Sequence, residues 1–396
     1  NAVMPSESVP SKQEQVIFHV DLDAFFVEVE RQKDKSLSGK PVVIGGTGPR
    51  GVVATASYEA RKYGIQSAMA TSIARRLCPN AIFMSGNNQL YQVVSKKFME
   101  ILHTYSPQVV PVSVDEAYLD MTGTHDLFGA PIHAAKKIRL EIRNKLGLPS
   151  SIGIGPNKLV AKVATEHAKP NNIFQVIQSE AELFFAPQPV RNLPGIGPKA
   201  EETLIRLKIN TLGQLADAAA GPLRRALGTK HQELLQIRAR GIDNSPLKKT
   251  AKSKSISAET TFEKDVSNQN KLHTTLKRLC ERVGSRLRKS GLMARGVSIK
   301  IRYGDFTTIT RQSSFAIQGN GDLLIYSAAL ELLTKAMEKR RDPVRLIGIT
   351  ATGIGQVASQ LSLLDQDSRI DSSTSAAIDE IRKRYGSESI FRGSVQ

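Results

Sequence analysis

The sequence has only two cysteines, Cys78 and Cys280, and no long hydrophobic run. Neither cysteine has a CxxC partner or a histidine at metal-ligand spacing, so we expect free buried thiols in a reducing cytoplasm and no zinc site. A membrane helix needs about 20 consecutive apolar residues, and no run approaches that length. The first residues also lack the basic and then apolar order of a signal peptide. These absences argue against a membrane protein or a disulfide-stabilised secreted one.

The charge of the chain is strongly positive and unevenly distributed. The sequence has 55 Lys and Arg against 37 Asp and Glu, a net charge of +18. A surplus of this size suits a polyanionic partner, either nucleic acid or an anionic membrane surface. Residues 244–356 hold 21 basic against 9 acidic side chains, a difference of 12. A well-solvated surface would explain solubility, but it would not explain this concentration of charge in one segment.

Length and pattern predict a multidomain α+β protein. A chain of 396 residues is too long for one compact core. Strands interleave with helices up to about residue 176, and a helical region follows up to residue 243. Residues 244–255, a polar and basic stretch with few apolar residues, are the best linker candidate, and a second α+β region follows them. In that region, residues 296–303 alternate, with one apolar face and one face that carries Lys300 and Arg302.

Two pairs of acidic residues lie in apolar strand-like runs. Asp21 and Asp23 end the first run and project from one face of the strand, and Asp115 and Glu116 interrupt a later run. Adjacent strand residues point to opposite faces, so Asp115 and Glu116 reach one metal only if the chain bends there. If the two runs are neighbours, the clustered carboxylates need cations, and two Mg²⁺ ions suit nucleotidyl transfer. Each pair alone is more typical of structural turn acids or helix caps, and it is the occurrence of both pairs on apolar strands that favours a metal site.

Several residues could bind phosphate groups. Tyr58 and Arg61 share a helix face and would make a triphosphate clamp, although an ordinary solvated helix carries such residues too. Lys169 lies at a predicted helix end. Gly195 and Gly197 belong to a Leu-Pro-Gly-Ile-Gly-Pro-Lys stretch before a helix, which is similar to a helix-hairpin-helix motif that binds DNA phosphates through backbone N–H groups. A plain glycine-rich turn is the alternative, and no Walker loop is present.

Four segments together identify a family. In order along the chain these are His19-Val-Asp-Leu-Asp-Ala-Phe-Phe26, Ala56-Ser-Tyr-Glu-Ala-Arg-Lys-Tyr-Gly64, Ser113-Val-Asp-Glu-Ala-Tyr-Leu-Asp120 and Ala168-Lys-Pro-Asn171. Their order and spacing resemble those of the Y-family, or translesion, DNA polymerases. The resemblance extends from about residue 16 to residue 356. It implies a right-hand polymerase with palm, fingers, helical thumb and a C-terminal little-finger domain.

The resemblance also implies domain boundaries. The predicted boundaries are palm 14–29 and 87–176, fingers 30–86, thumb 177–243, linker 244–255, little finger 256–356 and tail 357–396. The little finger then coincides with the basic segment that the charge count identified independently.

The same resemblance implies the active-site residues. Asp21, Asp115 and Glu116, with the backbone carbonyl of Leu22, would hold two Mg²⁺ ions, for which Mn²⁺ can substitute. The family equivalent of Asp23 is not a direct ligand, so we do not expect it to bind metal in spite of its position on the strand.

A deoxynucleotide pocket is implied beside the metal site. The ring of Phe26 would be the steric gate that excludes a ribose 2′-hydroxyl, and Phe25 would be either a sugar contact or a core residue. Small residues around Thr55 would form a roof that checks base-pair shape only weakly. The triphosphate would be bound by Tyr58, Arg61 and Lys169.

The expected activity is low-fidelity, template-directed synthesis past damaged bases. The partners are primer–template DNA and a dNTP, with DNA contacts at Gly195, Gly197, Lys300, Arg302 and Arg345. We expect a monomer in the cytoplasm, associated with the nucleoid. Two rival hypotheses are a non-catalytic DNA-binding protein with this fold and another palm-type nucleotidyl transferase, such as a nucleotide cyclase.

A short apolar motif in the tail is similar to the sliding-clamp-binding peptide of bacterial polymerases. Its residues are Gln360, Leu361, Leu363 and Leu364. The bacterial peptide often ends in Phe, whereas Leu364 takes that position here. A stray apolar patch in the tail is the alternative interpretation.

Overall fold

A computed structural model describes residues 14–248, 253–356, 366–386 and 389–390. The chain divides into two compact units, residues 1–47 with 51–251 and residues 48–50 with 252–396. Within the described ranges, no helix is long and apolar enough to cross a membrane.

The first unit begins with a strand, a helix and a small sheet. In chain order the elements are β1 (Ile17–Leu22), α1 (Phe25–Lys33), β2 (Val42–Gly45), β3 (Val53–Ala56), α2 (Tyr58–Arg61), α3 (Thr71–Leu77) and β4 (Ile82–Met84). Strands β3, β2 and β4 form a three-stranded sheet in that order. Its core includes Val43, Val53, Ala60 and Ile65, so this small sheet has its own apolar interior.

A five-stranded sheet forms the centre of the first unit. The next elements are α4 (Asn88–His103), β5 (Val109–Pro111), β6 (Glu116–Asp120), α5 (His125–Phe128), α6 (Pro131–Leu146), β7 (Ser150–Gly155), α7 (Lys158–Ala168) and β8 (Ile173–Gln175). The strand order is β5-β6-β1-β7-β8. Because side chains alternate along β1, Phe18 and Val20 pack in the core with α4 and α6, while His19 contacts Thr165 of α7 on the other face.

Close packing of α7 on β7 fixes the position of that helix. A Cβ atom on Gly153 would lie 2.1 Å from the carbonyl oxygen of Ala161, and one on Gly155 would lie 2.6 Å from the Ala161 nitrogen. Only glycine permits this approach. The helix begins where the Asn157 side chain accepts a hydrogen bond from the Val160 N–H at 2.9 Å. These contacts hold the basic side chains of α7 and of the turn after it at the sheet.

The first unit ends in short helices. These are α8 (Ala181–Phe185), α9 (Pro198–Arg206), α10 (Leu212–Asp217), α11 (Ala220–Leu227) and α12 (Thr229–Ala239). Their buried leucines, among them Leu204, Leu212, Leu223 and Leu235, form a core that also includes Leu159 and Val163 of α7. The sequence-based prediction of a helical region over 177–243 matches these helices.

The second unit is a sheet covered by helices on one face. Its elements are β9 (Ile256–Val266), α13 (Gln269–Lys289), β10 (Leu292–Tyr303), β11 (Thr308–Gly319), α14 (Asp322–Lys339), β12 (Val344–Thr352), β13 (Gly355–Gln356) and α15 (Gln366–Tyr385). The strand order is β11-β10-β12-β9, and β13 pairs with β10. In β10 the apolar residues Val297, Ile299, Ile301 and Tyr303 are buried against the helices, as the alternating pattern predicts.

Helix α15 packs on this second unit. Arg288 of α13 lies between two carboxylates, 2.8 Å from Asp322 of α14 and 2.7 Å from Asp379 of α15. The Asp371 carboxylate of α15 accepts hydrogen bonds from two N–H groups in the first turn of α14, those of Leu323 at 3.0 Å and Leu324 at 3.2 Å. The described part of residues 357–396 is therefore chiefly a helix, and it starts well before residue 377, where the sequence pattern indicated one.

Candidate active site

Strand pairing brings the predicted metal ligands to adjacent positions. Asp21 of β1 is the direct cross-strand partner of Glu116 at the start of β6. Asp115 lies in the turn before β6, and its carbonyl oxygen accepts a hydrogen bond from the Leu22 N–H at 2.9 Å. The side chain of Ser113 donates to the Asp115 carboxylate. The chain thus bends at Asp115. Such a bend is what Asp115 and Glu116 need if both are to reach one metal site.

Two lysines and a histidine contact the acidic side chains. Lys169 Nζ lies 3.0 Å from Asp21 Oδ2, and Lys162 Nζ lies 2.7 Å from Glu116 Oε2. The buried His19 ring places Nε2 at 3.1 Å from the same Glu116 oxygen. In the described part of the chain, no three acidic, histidine or cysteine side chains form a ready-made metal cluster. The carboxylates nevertheless supply the hard oxygen donors that Mg²⁺ prefers.

The carboxylates of the cross-strand partners Asp21 and Glu116 differ in their electrostatic environment. Burial raises the pKa of Asp21 to about 7, and the neighbouring Asp115 and Glu116 add to this, while Lys169 acts in the opposite direction. Burial would also raise the pKa of Glu116, but hydrogen bonds from His19 and Lys162 outweigh it and lower the pKa to about 2. Glu116 is therefore a firmly ionised ligand candidate at neutral pH.

One cleft unites the predicted metal and nucleotide residues, with the exception of Glu116. The predicted residues that line it are Asp21, Leu22, Phe25, Phe26, Thr55, Tyr58, Arg61, Asp115 and Lys169. Ala54, one of the small residues predicted around Thr55, lines it as well, and so do Ala24 and Ser67, to which sequence reasoning gave no role. Ser67 lies outside the four motif segments, so only its place beside the motif residues reveals it.

A left-handed turn and an aromatic stack place Phe26 at the cleft. Ala24 has φ 45°, and the chain turns sharply there from β1 into α1. Phe25 is buried, whereas the ring of Phe26 stacks on Tyr91 with centroids 4.2 Å apart. The Tyr91 hydroxyl donates to the buried Glu30 carboxylate at 2.8 Å. Phe26 is thus held from behind by a ring that is itself fixed.

Tyr58 and Arg61 form one wall of the cleft. The guanidinium carbon of Arg61 lies 4.7 Å from the centroid of the Tyr58 ring, and Arg61 Nε donates to the Ala56 carbonyl at 3.0 Å. Burial raises the pKa of the Tyr58 hydroxyl, as does the Asp23 carboxylate that accepts its proton at 3.0 Å. Tyr58 and Arg61 therefore share a helix face, as the sequence predicted. Tyr58 is also hydrogen-bonded to Asp23, which the sequence analysis did not expect to bind metal.

The predicted DNA contacts in the first unit lie at the start of α9. Gly195 has φ 106°, a conformation that favours glycine, and Gly197 is the residue that precedes the helix. A Cβ atom on Gly197 would meet nothing within 4 Å. The backbone at Gly197 is therefore open to an approaching phosphate group.

The predicted DNA contacts in the second unit lie on β10 and β12. Lys300 is paired with Glu259 at 2.9 Å, and Arg302 Nε donates to Thr308 Oγ1 at 2.8 Å. The guanidinium carbon of Arg345 lies 4.4 Å from the Phe306 ring centroid. Lys300 and Arg302 share the sheet face opposite the buried apolar residues of β10. The predicted clamp-binding residues, Gln360, Leu361, Leu363 and Leu364, lie outside the described residues.

Comparisons with known proteins agree with this arrangement. A model of the impB/mucB/samB family matches residues 20–166, and the model of that family's C-terminal domain matches residues 253–363. A solved Y-family DNA polymerase chimera superimposes with a TM-score of 0.78 at 25% identity, over 86% of this chain and 100% of the chimera. A DNA polymerase IV of Dehalococcoides mccartyi strain CBDB1 is 44% identical over 378 residues, which are 95% of this chain and 96% of the relative. The chain belongs to the Y-family of DNA polymerases.

This Y-family polymerase has further relatives of the same name. A DNA polymerase IV of Halorhodospira halophila is 40% identical over 341 residues, 85% of this chain and 95% of that protein. The predicted family, the right-hand polymerase fold and the class of DNA-directed DNA polymerase are thereby confirmed. The domain boundaries and the roles of individual residues stay predictions.

Proposed function

We propose that this DNA-directed DNA polymerase extends a primer by two-metal nucleotidyl transfer and copies past damaged template bases with low fidelity. The observation that carries the proposal is the single cleft in which two of the three acidic residues meet the nucleotide-binding motif. The third acid, Glu116, is paired with Asp21 across the strands. The proposal would fail without this convergence, since each motif alone is common.

Asp21, Asp115 and Glu116, with the Leu22 carbonyl, would hold two Mg²⁺ ions, with Mn²⁺ able to substitute. When bound, such ions lower the pKa of a primer 3′-hydroxyl and neutralise charge on a leaving pyrophosphate. The protein contributes the orientation of its carboxylates. Lys169 contacts Asp21 at Oδ2, 3.0 Å away, and Lys162 contacts Glu116 at Oε2, 2.7 Å away, so Oδ1 of Asp21 and Oε1 of Glu116 would be the oxygens offered to a metal.

The other side chains of the cleft would select and orient the nucleotide. Tyr58, Arg61 and Lys169 would bind the triphosphate. Lys169 is paired with Asp21 in this structure, and it would exchange that ion pair for a contact with the triphosphate when the nucleotide binds. Phe26 would exclude a 2′-hydroxyl, with Phe25 behind it in the core. The small residues around Thr55 leave room above a base pair, which favours bypass of distorted template bases over strict shape checking.

Primer–template DNA would be gripped through its backbone. Gly195 and Gly197 would present N–H groups to a phosphate, and Lys300, Arg302 and Arg345 would bind phosphates without reading sequence. We further propose that the protein acts as a monomer at the nucleoid. Contact of Gln360–Leu364 with a sliding clamp is part of the same proposal, and peptide binding to a purified clamp tests it separately from polymerase activity.

Primer extension with dNTPs and Mg²⁺ tests the central proposal. We expect the native protein to extend a primed template and the Asp115→Asn/Glu116→Gln variant to lose extension while it still binds the DNA. A matched control is Asp126→Asn/Glu100→Gln, because those acids of the same unit are exposed, at 102% and 62% of the full side-chain area. Native protein that binds primed DNA in a salt-sensitive manner but does not extend it would instead favour a non-catalytic DNA-binding function.

A further inference from the structure

Asp23 is a buried carboxylate that accepts hydrogen bonds from three groups. The residue is 2% exposed. Its Oδ1 atom accepts from the Tyr58 hydroxyl at 3.0 Å, and its Oδ2 atom accepts from the Asn171 N–H at 2.9 Å. Ser151 Oγ lies 3.0 Å from both carboxylate oxygens, which share its single proton. Asp23 does not line the cleft in which the metal-ligand candidates lie.

The donors to Asp23 come from three separate parts of the fold. Tyr58 is the first residue of α2, Ser151 lies in β7, and Asn171 is in the turn after α7, two residues beyond Lys169. Asn171 is held a second time, because Arg139 of α6 donates to its side-chain oxygen at 2.7 Å. Asp23, which follows β1, thereby links the helix that carries Tyr58 and Arg61 to the turn that carries Lys169.

We propose that Asp23 is a positioning residue that fixes the two sides of the triphosphate site relative to each other. This inference rests on the proposed function, in which Arg61 of α2 and Lys169, next to the end of α7, both bind the triphosphate. Hydrogen bonds to a charged acceptor are stronger than neutral ones, and a buried donor that loses its acceptor is costly. Asp23 therefore sets where Tyr58 and Asn171 lie, and through them where Arg61 and Lys169 lie.

The direction of the Tyr58 hydrogen bond indicates how Tyr58 contributes to the triphosphate site. A tyrosine hydroxyl has one proton, and Tyr58 donates it to Asp23. In this arrangement the hydroxyl has no proton for a phosphate oxygen. Tyr58 then serves the site through its ring, which lies beneath the Arg61 guanidinium at 4.7 Å.

Steady-state kinetics of single-nucleotide insertion test the inference through three variants. Asp23→Ala is expected to raise KM for the dNTP by about tenfold or more, with kcat at saturating dNTP reduced much less. Asp23→Asn should restore KM to within about threefold of the native value, because the amide oxygen still accepts from Asn171 and the amide nitrogen can donate to the Tyr58 oxygen. Tyr58→Phe should raise KM, and adding it to Asp23→Ala should add little.

The inhibition constant of pyrophosphate locates the effect at the phosphate groups. We expect it to rise in parallel with KM in Asp23→Ala and to stay near the native value in Asp23→Asn. The matched control is Tyr105→Phe, which removes a tyrosine–carboxylate hydrogen bond of 2.6 Å, that to Glu141, in the same unit but outside the cleft. This control should leave both constants unchanged.

Several outcomes would overturn the inference. A loss of kcat with unchanged KM in Asp23→Ala would mean that Asp23 does not position the groups that bind the nucleotide. An Asp23→Asn variant as impaired as Asp23→Ala, or one that needs more Mg²⁺ for half-maximal activity, would show that the charge acts on the metal site. If Asp23→Ala does not fold, a Tyr58→Phe variant with native KM is sufficient to reject the inference. Native protein that extends no primer would instead reject the proposed function itself.

Discussion

The ring of Phe26 lies parallel to the ring of Tyr91, with centroids 4.2 Å apart and planes inclined by 15°. Tyr91 is 2% exposed, and its side chain is held in place by the hydrogen bond from its hydroxyl to Glu30. Phe26 is therefore backed by a fixed surface, as its proposed role as the steric gate requires. Rejection of a 2′-hydroxyl by this ring would be specificity by unfavourable contact.

Truncation of this ring should admit ribonucleotides. In Phe26→Ala we expect the ratio of kcat/KM for a dNTP to that for the matching rNTP to fall on the order of a hundredfold. The ratio corrects for any general loss of activity. Phe174→Leu, which alters a partly exposed aromatic residue of β8 outside the cleft, should keep the native ratio. A native ratio in Phe26→Ala would mean that another group excludes the ribose.

Parts of both units could be predicted from the sequence, because their strongest signals are local. The acids Asp21 and Asp115 interrupt apolar runs, and such positions are either turns or sites. The apolar positions of α13 repeat at helical spacing, and β10 alternates along its length. In each case the residue pattern and the environment agree, so the element follows from the pattern.

The elements and contacts that the sequence did not predict depend on the tertiary fold. Strands β4 and β8 have three residues each, too few for a period to show. Lys162 has no motif, and only the packing of α7 on β1 brings it to 2.7 Å from Glu116. Asp23 had been set aside as a metal ligand, and its three partners at positions 58, 151 and 171 are too distant in sequence to be foreseen.

Two glycines before α9 should respond differently to alanine. Gly195 has φ 106°, so we expect Gly195→Ala to lower the free energy of unfolding by about 1–3 kcal/mol. Gly197 has φ −90° and open space around it, so Gly197→Ala should cost less than about 1 kcal/mol. Its added methyl group would instead weaken binding to primed DNA by a few fold, as measured by fluorescence anisotropy, because it obstructs the approach of a phosphate.

The control for this comparison is Gly221→Ala, an exposed glycine of α11 whose Cβ would come no closer than 3.8 Å to another residue. It should leave DNA affinity unchanged. Equal DNA affinity in Gly197→Ala and the native protein would remove the α9 turn from the DNA-binding surface.

Basic residues on the exposed face of β10 should make DNA binding dependent on salt. For Lys300→Ala/Arg302→Ala we expect weaker binding to every DNA sequence, and a slope of log K against log salt that is smaller by about 2. The matched variant Lys335→Ala/Lys339→Ala removes the same charge from the exposed side of α14 and should keep the native slope. Identical slopes for the two variants would mean that net charge, and not this sheet face, binds the DNA.

Substitution of Arg288 should destabilise the second unit. It is 10% exposed and lies between Asp322, 3% exposed, and Asp379, 14% exposed. Arg288→Met would remove the guanidinium that bridges two nearly buried carboxylates, so we expect the free energy of unfolding to fall by about 3–5 kcal/mol. Arg288→Lys should be intermediate, because one ammonium group cannot replace the two-sided contact of a guanidinium.

Urea unfolding of the full chain measures this difference against an exposed pair. Lys335 and Glu331 on α14 are 66% and 64% exposed, and an exposed pair at this spacing contributes only about 0.3–0.5 kcal/mol. Lys335→Met should therefore shift the midpoint little. If Arg288→Met shifted it no more than Lys335→Met, the ion pairs of Arg288 with Asp322 and Asp379 would contribute nothing measurable to the stability of this unit.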